Sequence, residues 1–95
     1  MDGSNRRGYH YVFTGRVQGV GFRALCANAA RDRSLVGWVR NRADGRVEAV
    51  VQGNEELLAD FEEAIRQGNG WSKVKTFERH SVAIDELLVD FEVRS

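Results

Sequence analysis

In YHYVFT, residues 9–14, the large apolar side chains Tyr9, Tyr11 and Phe13 fall at every second position. Successive side chains of an extended chain leave on opposite sides, so this alternation predicts a strand with one buried face. The period changes at Phe22. There Phe22, Leu25, Cys26 and Ala29 sit at i, i+3, i+4 and i+7, one stripe of a helix running to about Arg33. Two strand-like runs follow, LVGWVRN and RVEAVVQG, on either side of RADG. Asp44-Gly45 marks a hairpin, because glycine accepts the positive φ that such a turn demands. Asn54 offers a side-chain cap for a second helix, and Glu55 and Glu56 suit its positive end. Leu57, Leu58, Phe61, Ala64 and Ile65 form the apolar stripe of that helix, and GNG at 68–70 ends it.

Beyond that point the phase is less regular. KVKTFERHSVAI predicts a strand, yet Val74, Phe77 and Val82 do not share one alternating phase. A bulge would reconcile them. VDFEVRS closes the series as a strand with Phe91 and Val93 on one face. The order is β-α-β-β-α-β, with the last β position split into two segments. It predicts an α+β ferredoxin-like sandwich, in which one mostly antiparallel sheet carries both helices on one face. Residues 9–95 are expected to form a single domain, preceded by a small, polar, loose tail over residues 1–8.

Composition narrows the function classes. Hydrophobic residues make up 42% of the 95 residues, enough for one modest core. No apolar run reaches membrane-spanning length, and MDGSNRRG lacks the apolar segment of a signal peptide, so the expected location is cytoplasmic. One cysteine, Cys26, excludes an intrachain disulfide and a sulfur-rich metal site. His10 and His80 lack the spacing of a metal pair, so no metal and no cofactor is expected. Cys26, Trp38 and Trp71 read as packing residues. Net charge is zero but uneven: nine Arg against three acids give +6 over residues 1–46, and five Lys or Arg against eleven acids give −6 over residues 47–95. A basic first half suits an anionic ligand.

The candidate site lies in that half. Between the first strand and the first helix the chain reads GRVQGVGFR, Gly15 to Arg23. A helix N-terminus presents unpaired N–H groups and partial positive charge. Gly15, Gly19 and Gly21 let the preceding loop curl until its amides converge on an anion. Arg23 adds a planar fork able to grip two oxygens of one phosphate. The candidate phosphate-binding residues are therefore Gly15, Arg16, Val17, Gln18, Gly19, Val20, Gly21, Phe22 and Arg23. The segment is neither a Walker loop nor a dinucleotide fingerprint, because no Lys-Ser or Lys-Thr follows the last glycine and the G-x-G-x-x-G spacing is missing.

A second motif, GWVRNRADGRVE at 37–48, stands with the first in an order and on a fold pattern that closely resemble the acylphosphatase family. The resemblance is strong from about Tyr9 to Gln52 and looser through the second helix to FEVR. It implies a small ferredoxin-like enzyme that hydrolyses the carboxyl–phosphate anhydride of acyl phosphates to carboxylate and phosphate without a metal. By motif, it makes Arg23 the ligand of the substrate phosphate, Asn41 the residue that positions the attacking water, and Gly15–Gly21 the source of amide donors. The implied partners are a small acyl phosphate and inorganic phosphate as product and competitor, with no membrane and no nucleic acid, for a chain acting as a monomer. Two departures stand out: Ser34 occupies a position where the family commonly has glycine, and GNGWSKVKTF lacks the usual proline. The competing reading is a non-catalytic ferredoxin-like module that holds a phosphorylated ligand or nucleic acid. An RNA-binding sheet would need exposed aromatics that GRVEAVV does not supply.

Overall fold

Seven elements occupy the described residues, 5–95 of the chain, in this computed structural model. They are β1 (Arg6–Arg16), α1 (Phe22–Asp32), β2 (Val36–Asn41), β3 (Val47–Asn54), α2 (Glu55–Gln67), β4 (Lys73–Val82) and β5 (Phe91–Arg94). The sheet order is β4-β1-β3-β2-β5, and every pairing is antiparallel except β2 with β5. Helix α1 packs on β2 and β5, α2 packs on β3 and β4, and the two helices touch each other. The result is the ferredoxin-like α+β sandwich that the element order implies.

The alternation along β1 does what its period dictates. Tyr11 and Phe13 are fully buried beneath the helices, with ring centroids 5.5 Å apart and the rings stacked. Phe22 meets Phe13 edge-on at 5.2 Å, which fixes the start of α1 over the end of β1. Phe61, Leu58 and Ile65 of α2 complete the core from the other helix. Burying each such side chain contributes about 1.5–3 kcal/mol. Tyr11 is buried with its hydroxyl 2.7 Å from Glu62, which also receives Arg79 at 2.6 Å. Burial first, then the neighbouring carboxylate, push the Tyr11 phenol well above its ordinary range, so it remains a donor.

The first strand begins earlier than the alternation indicates. The loose tail expected over residues 1–8 gives way to strand at Arg6, because Arg6, Arg7 and Gly8 pair with Asn54, Gly53 and Gln52 of β3. Ladder bonds use the main chain alone, so a polar stretch without alternation extends the strand unseen. Asn5, exposed, precedes the strand, and residues 1–4 of that expectation lie outside the described residues.

The bulge does occur. The β1–β4 register shifts between Thr14 and Gly15, so that Thr14 faces Thr76 and Gly15 faces Val74, leaving Lys75 as the extra residue. Val74 and Phe77 both come to pack on the core. Val82 stays on the outer face, exposed. Gly15 has φ of +136°, and a Cβ there would collide with the Lys73 carbonyl, so the bulge requires glycine on the facing strand.

The face without helices is partly roofed as well. Gln52 is buried because its amide exchanges two bonds with the Asp85 backbone, at 2.7 and 3.0 Å, which draws the segment after β4 across the sheet. Glu48, also buried, is held by His10 at 2.8 Å and Arg40 at 2.6 Å. Burial acts to raise the Glu48 pKa, but the two hydrogen bonds and adjacent charges together hold it below the ordinary value.

Candidate active site

The β1–α1 connection is built so that its amides stay free. Gly21 caps α1 in the left-handed region, φ +75°, and supplies no side-chain cap. A Ser or Asp cap would occupy the first helical N–H groups, whereas glycine leaves them open. The first helical bond runs from Leu25 N–H to the Gly21 carbonyl, 3.0 Å. Among the described residues, the amides of Phe22, Arg23 and Ala24 therefore have no acceptor in the helix. Gly19, φ +74°, turns the loop ahead of them.

Both flanks of the loop are tied down. Gln18 donates through Nε2 to the carbonyls of Arg42 and Arg46, at 2.8 and 2.9 Å, which fastens the loop to the β2–β3 hairpin. Asn69 donates through Nδ2 to the Val20 carbonyl, 2.9 Å, from the far side. Val17 is buried in the core between these ties. The hairpin closes as its sequence requires: Arg42 N–H reaches the Arg46 carbonyl at 2.8 Å, and Gly45 has φ of +89°. Asp44 bridges Arg42 and Arg46, and hydrogen bonds from Arg46 first hold its carboxyl down to about 2.

A cavity of about 270 Å³ opens between these parts, lined by Val17, Gly19, Gly21, Phe22, Arg23, Ala24, Asn41 and Val93. Arg23 donates through Nη1 to the Arg94 carbonyl of β5, 2.9 Å. One edge of the guanidinium is thus anchored while the rest remains available. Asn41 is the last residue of β2, and its Oδ1 is buried without a hydrogen-bond partner. A buried acceptor left without any partner costs about 1–3 kcal/mol.

Of the residues singled out in the sequence, the structure brings Val17, Gly19, Gly21, Phe22, Arg23 and Asn41 to one cavity. Gln18 and Val20 instead fasten the loop through a side chain and a carbonyl. Gly15 and Arg16 belong to β1, pair with Val74 and Lys73, and line a different depression. Sequence reasoning missed Val93, the Arg94 carbonyl and Asn69. The alternation in FEVR was the available signal for Val93, while nothing local pointed to Asn69. Cys26, buried in α1, has its thiol pushed far up by burial and carries no nucleophilic role at neutral pH. Among the described residues no cluster of three or more His, Cys, Asp or Glu could hold a metal ion, and no helix is long and apolar enough to cross a membrane.

The family model for acylphosphatase matches residues 9–93. The chain belongs to the acylphosphatase family. The acylphosphatase of Bacillus pumilus is 38% identical over 86 residues, spanning 90% of this chain and 96% of that one. The crystal structure of acylphosphatase from Bacillus subtilis superimposes with a TM-score of 0.88 at 39% identity, covering 94% of this chain and 99% of that chain. An acylphosphatase structure from Coxiella burnetii gives 0.88 at 30% identity, covering 96% and 95%. The chain is accordingly a hydrolase with acylphosphatase activity.

The two departures from the family pattern now have physical form. Ser34 follows the C-cap Arg33 with φ of +57°, the one positive φ outside glycine among the described residues. Ser34 N–H bonds the Arg31 carbonyl and Leu35 N–H the Ala30 carbonyl, at 3.1 and 2.9 Å, a Schellman closure with serine in the glycine position. In the turn after α2, Asn69 takes over the ordering that a proline could give: its Oδ1 accepts from Trp71 and Ser72 N–H at 2.9 and 2.8 Å. That turn leaves Trp71 74% exposed, so the packing role read from its sequence does not hold. Trp38 does pack, with Arg94 5.0 Å and Arg40 5.7 Å over its ring.

Proposed function

We propose that the cavity between Gly19 and Asn41 binds the phosphoryl group of a small acyl phosphate and hydrolyses its carboxyl–phosphate anhydride. The supporting observation is the Asn41 side chain, whose Oδ1 is buried and unpartnered and which lines one cavity with Gly19, Gly21 and Arg23. The amides of Gly19 to Ala24 and the Arg23 guanidinium surround the three equatorial phosphoryl oxygens. They meet charge as it develops in the transition state. Asn41 accepts a hydrogen from a water and so aims its lone pair at phosphorus, in line with the bond to the carboxylate. The P–O bond to the acyl oxygen breaks as the water oxygen bonds to phosphorus. The carboxylate leaves with that electron pair, and the water's proton ends on a phosphate oxygen. A carboxylate is a good leaving group, so no strong acid is required.

Benzoyl phosphate is a suitable test substrate. Its turnover should be unchanged by excess chelator, because the cradle supplies its own positive charge. Inorganic phosphate should inhibit competitively and should raise the melting temperature, with about 2.7 kcal/mol of added stability at 100 times its dissociation constant. A magnesium-restored loss of activity, or noncompetitive inhibition, would refute this site.

A further inference from the structure

The lysines and arginines of the chain number 14, and all lie within the described residues. Among those residues nearly every one has a carboxylate or backbone carbonyl as partner: Arg40 and Arg79 hold buried or half-buried glutamates, and Arg23, Arg31 and Arg33 hold carbonyls. Arg6 and Arg7 of β1, Arg42 and Arg46 of the hairpin, Arg66 of α2 and Arg94 of β5 are likewise engaged. The exceptions are Arg16, Lys73 and Lys75. All three line one depression of about 550 Å³ at the β1–β4 end of the sheet.

The placement is costly unless something offsets it. Arg16 and Lys73 are direct cross-strand partners, and like charges placed so destabilise a sheet. Lys75, the bulge residue, brings a third positive charge to the same place. Beside them stands Trp71, 74% exposed and in contact with no other ring. Ser72 and Gly70 complete the lining on that side. The depression shares no lining residue with the catalytic cavity. Its volume is that of a small-molecule site.

We infer that this depression is a second ligand site, for a planar aromatic anion of the nucleoside di- or triphosphate class, with the base on Trp71 and the phosphates across Arg16, Lys73 and Lys75. Three cations lining one depression select a ligand of at least two negative charges. The indole selects one that also carries a flat ring. The inference stands apart from the catalytic proposal, since neither cavity lends a residue to the other.

The probe is ADP without magnesium, titrated against the full chain at saturating inorganic phosphate, with tryptophan fluorescence read in a Trp38→Phe background. Saturable quenching of Trp71 should persist under phosphate, because phosphate occupies the other cavity. By calorimetry Trp71→Ala should weaken ADP binding about 10-fold, the scale of one base–aromatic stack. Lys73→Gln with Lys75→Gln should weaken it at least as much and flatten its salt dependence. Benzoyl phosphate turnover should be unaltered in both variants. Displacement of ADP by phosphate, equal binding by the variants, or binding of an oligonucleotide where ADP fails would each overturn the assignment.

Discussion

Arg23 and Asn41 divide the proposed chemistry between binding and timing. Arg23 meets the phosphate in ground and transition states alike, so Arg23→Gln should raise KM and lower kcat together. Arg23→Lys should not rescue it, because an ammonium cannot both hold the Arg94 carbonyl and present a two-oxygen fork. Asn41 acts on the water, so Asn41→Ala should lower kcat by at least about 10²-fold with KM and phosphate affinity nearly unchanged. Because its Oδ1 is an unsatisfied buried acceptor, the same variant should be no less stable than the parent. Loss of phosphate binding equal to that of Arg23→Gln would refute the division. Ser34 poses a separate question, of stability alone. A left-handed conformation costs a non-glycine residue roughly 1–2 kcal/mol, part of which glycine returns as unfolded-chain entropy. Ser34→Gly should therefore stabilise the fold by about 1 kcal/mol, a rise of about 4–8 °C in Tm, with kinetics unchanged. A lower Tm would show that the serine hydroxyl contributes something the geometry does not display.

At the scale of elements, the site depends on how the β1–α1 loop is held. Gln18 ties it to the β2–β3 hairpin and Asn69 to the turn after α2. Asn69→Ala removes three hydrogen bonds at once. It should cost about 1 kcal/mol of stability and lower kcat/KM about 10-fold, since a loosely held loop is the usual way a fixed geometry is lost. Unchanged kinetics at reduced stability would mean that the hairpin tie suffices. These two ties also mark where sequence reading stops. The strand and helix periods, the Asn54 cap and the Asp44-Gly45 turn are local, and each appears in the structure where its residues put it. The glycine loop and Arg23 were legible because a helix N-terminus is itself a local feature. Asn69 meets Val20 across 49 positions of sequence, and the Gln52–Asp85 roof spans 33. No periodicity carries a pairing of that kind. Trp71 failed for the same reason: whether an indole is covered depends on a turn set by its neighbours' side chains.

Taken as a whole molecule, the sheet ends in two unlike strands. β5 is four residues long, and β4 is ten. A long outer strand presents unpaired N–H and C=O groups to any other extended chain, which makes it a template for self-association. Three features of β4 work against that use. Lys73, Lys75, Glu78 and His80 are exposed along it, the extra residue at Lys75 interrupts its register, and Phe77 turns inward. The lysines assigned above to a polyanion thus also guard the edge, and replacing them should expose a second phenotype. A Lys73→Val, Lys75→Val double variant should form thioflavin-positive assemblies faster than the parent in mildly destabilising buffer, at equal concentration and comparable Tm. Equal rates would mean that the kink alone keeps one copy's edge from pairing with the next. Faster assembly, the expected result, means that solubility and ligand recognition rest on the same two ammonium groups, so a variant selected against nucleotide binding carries aggregation as its hidden cost.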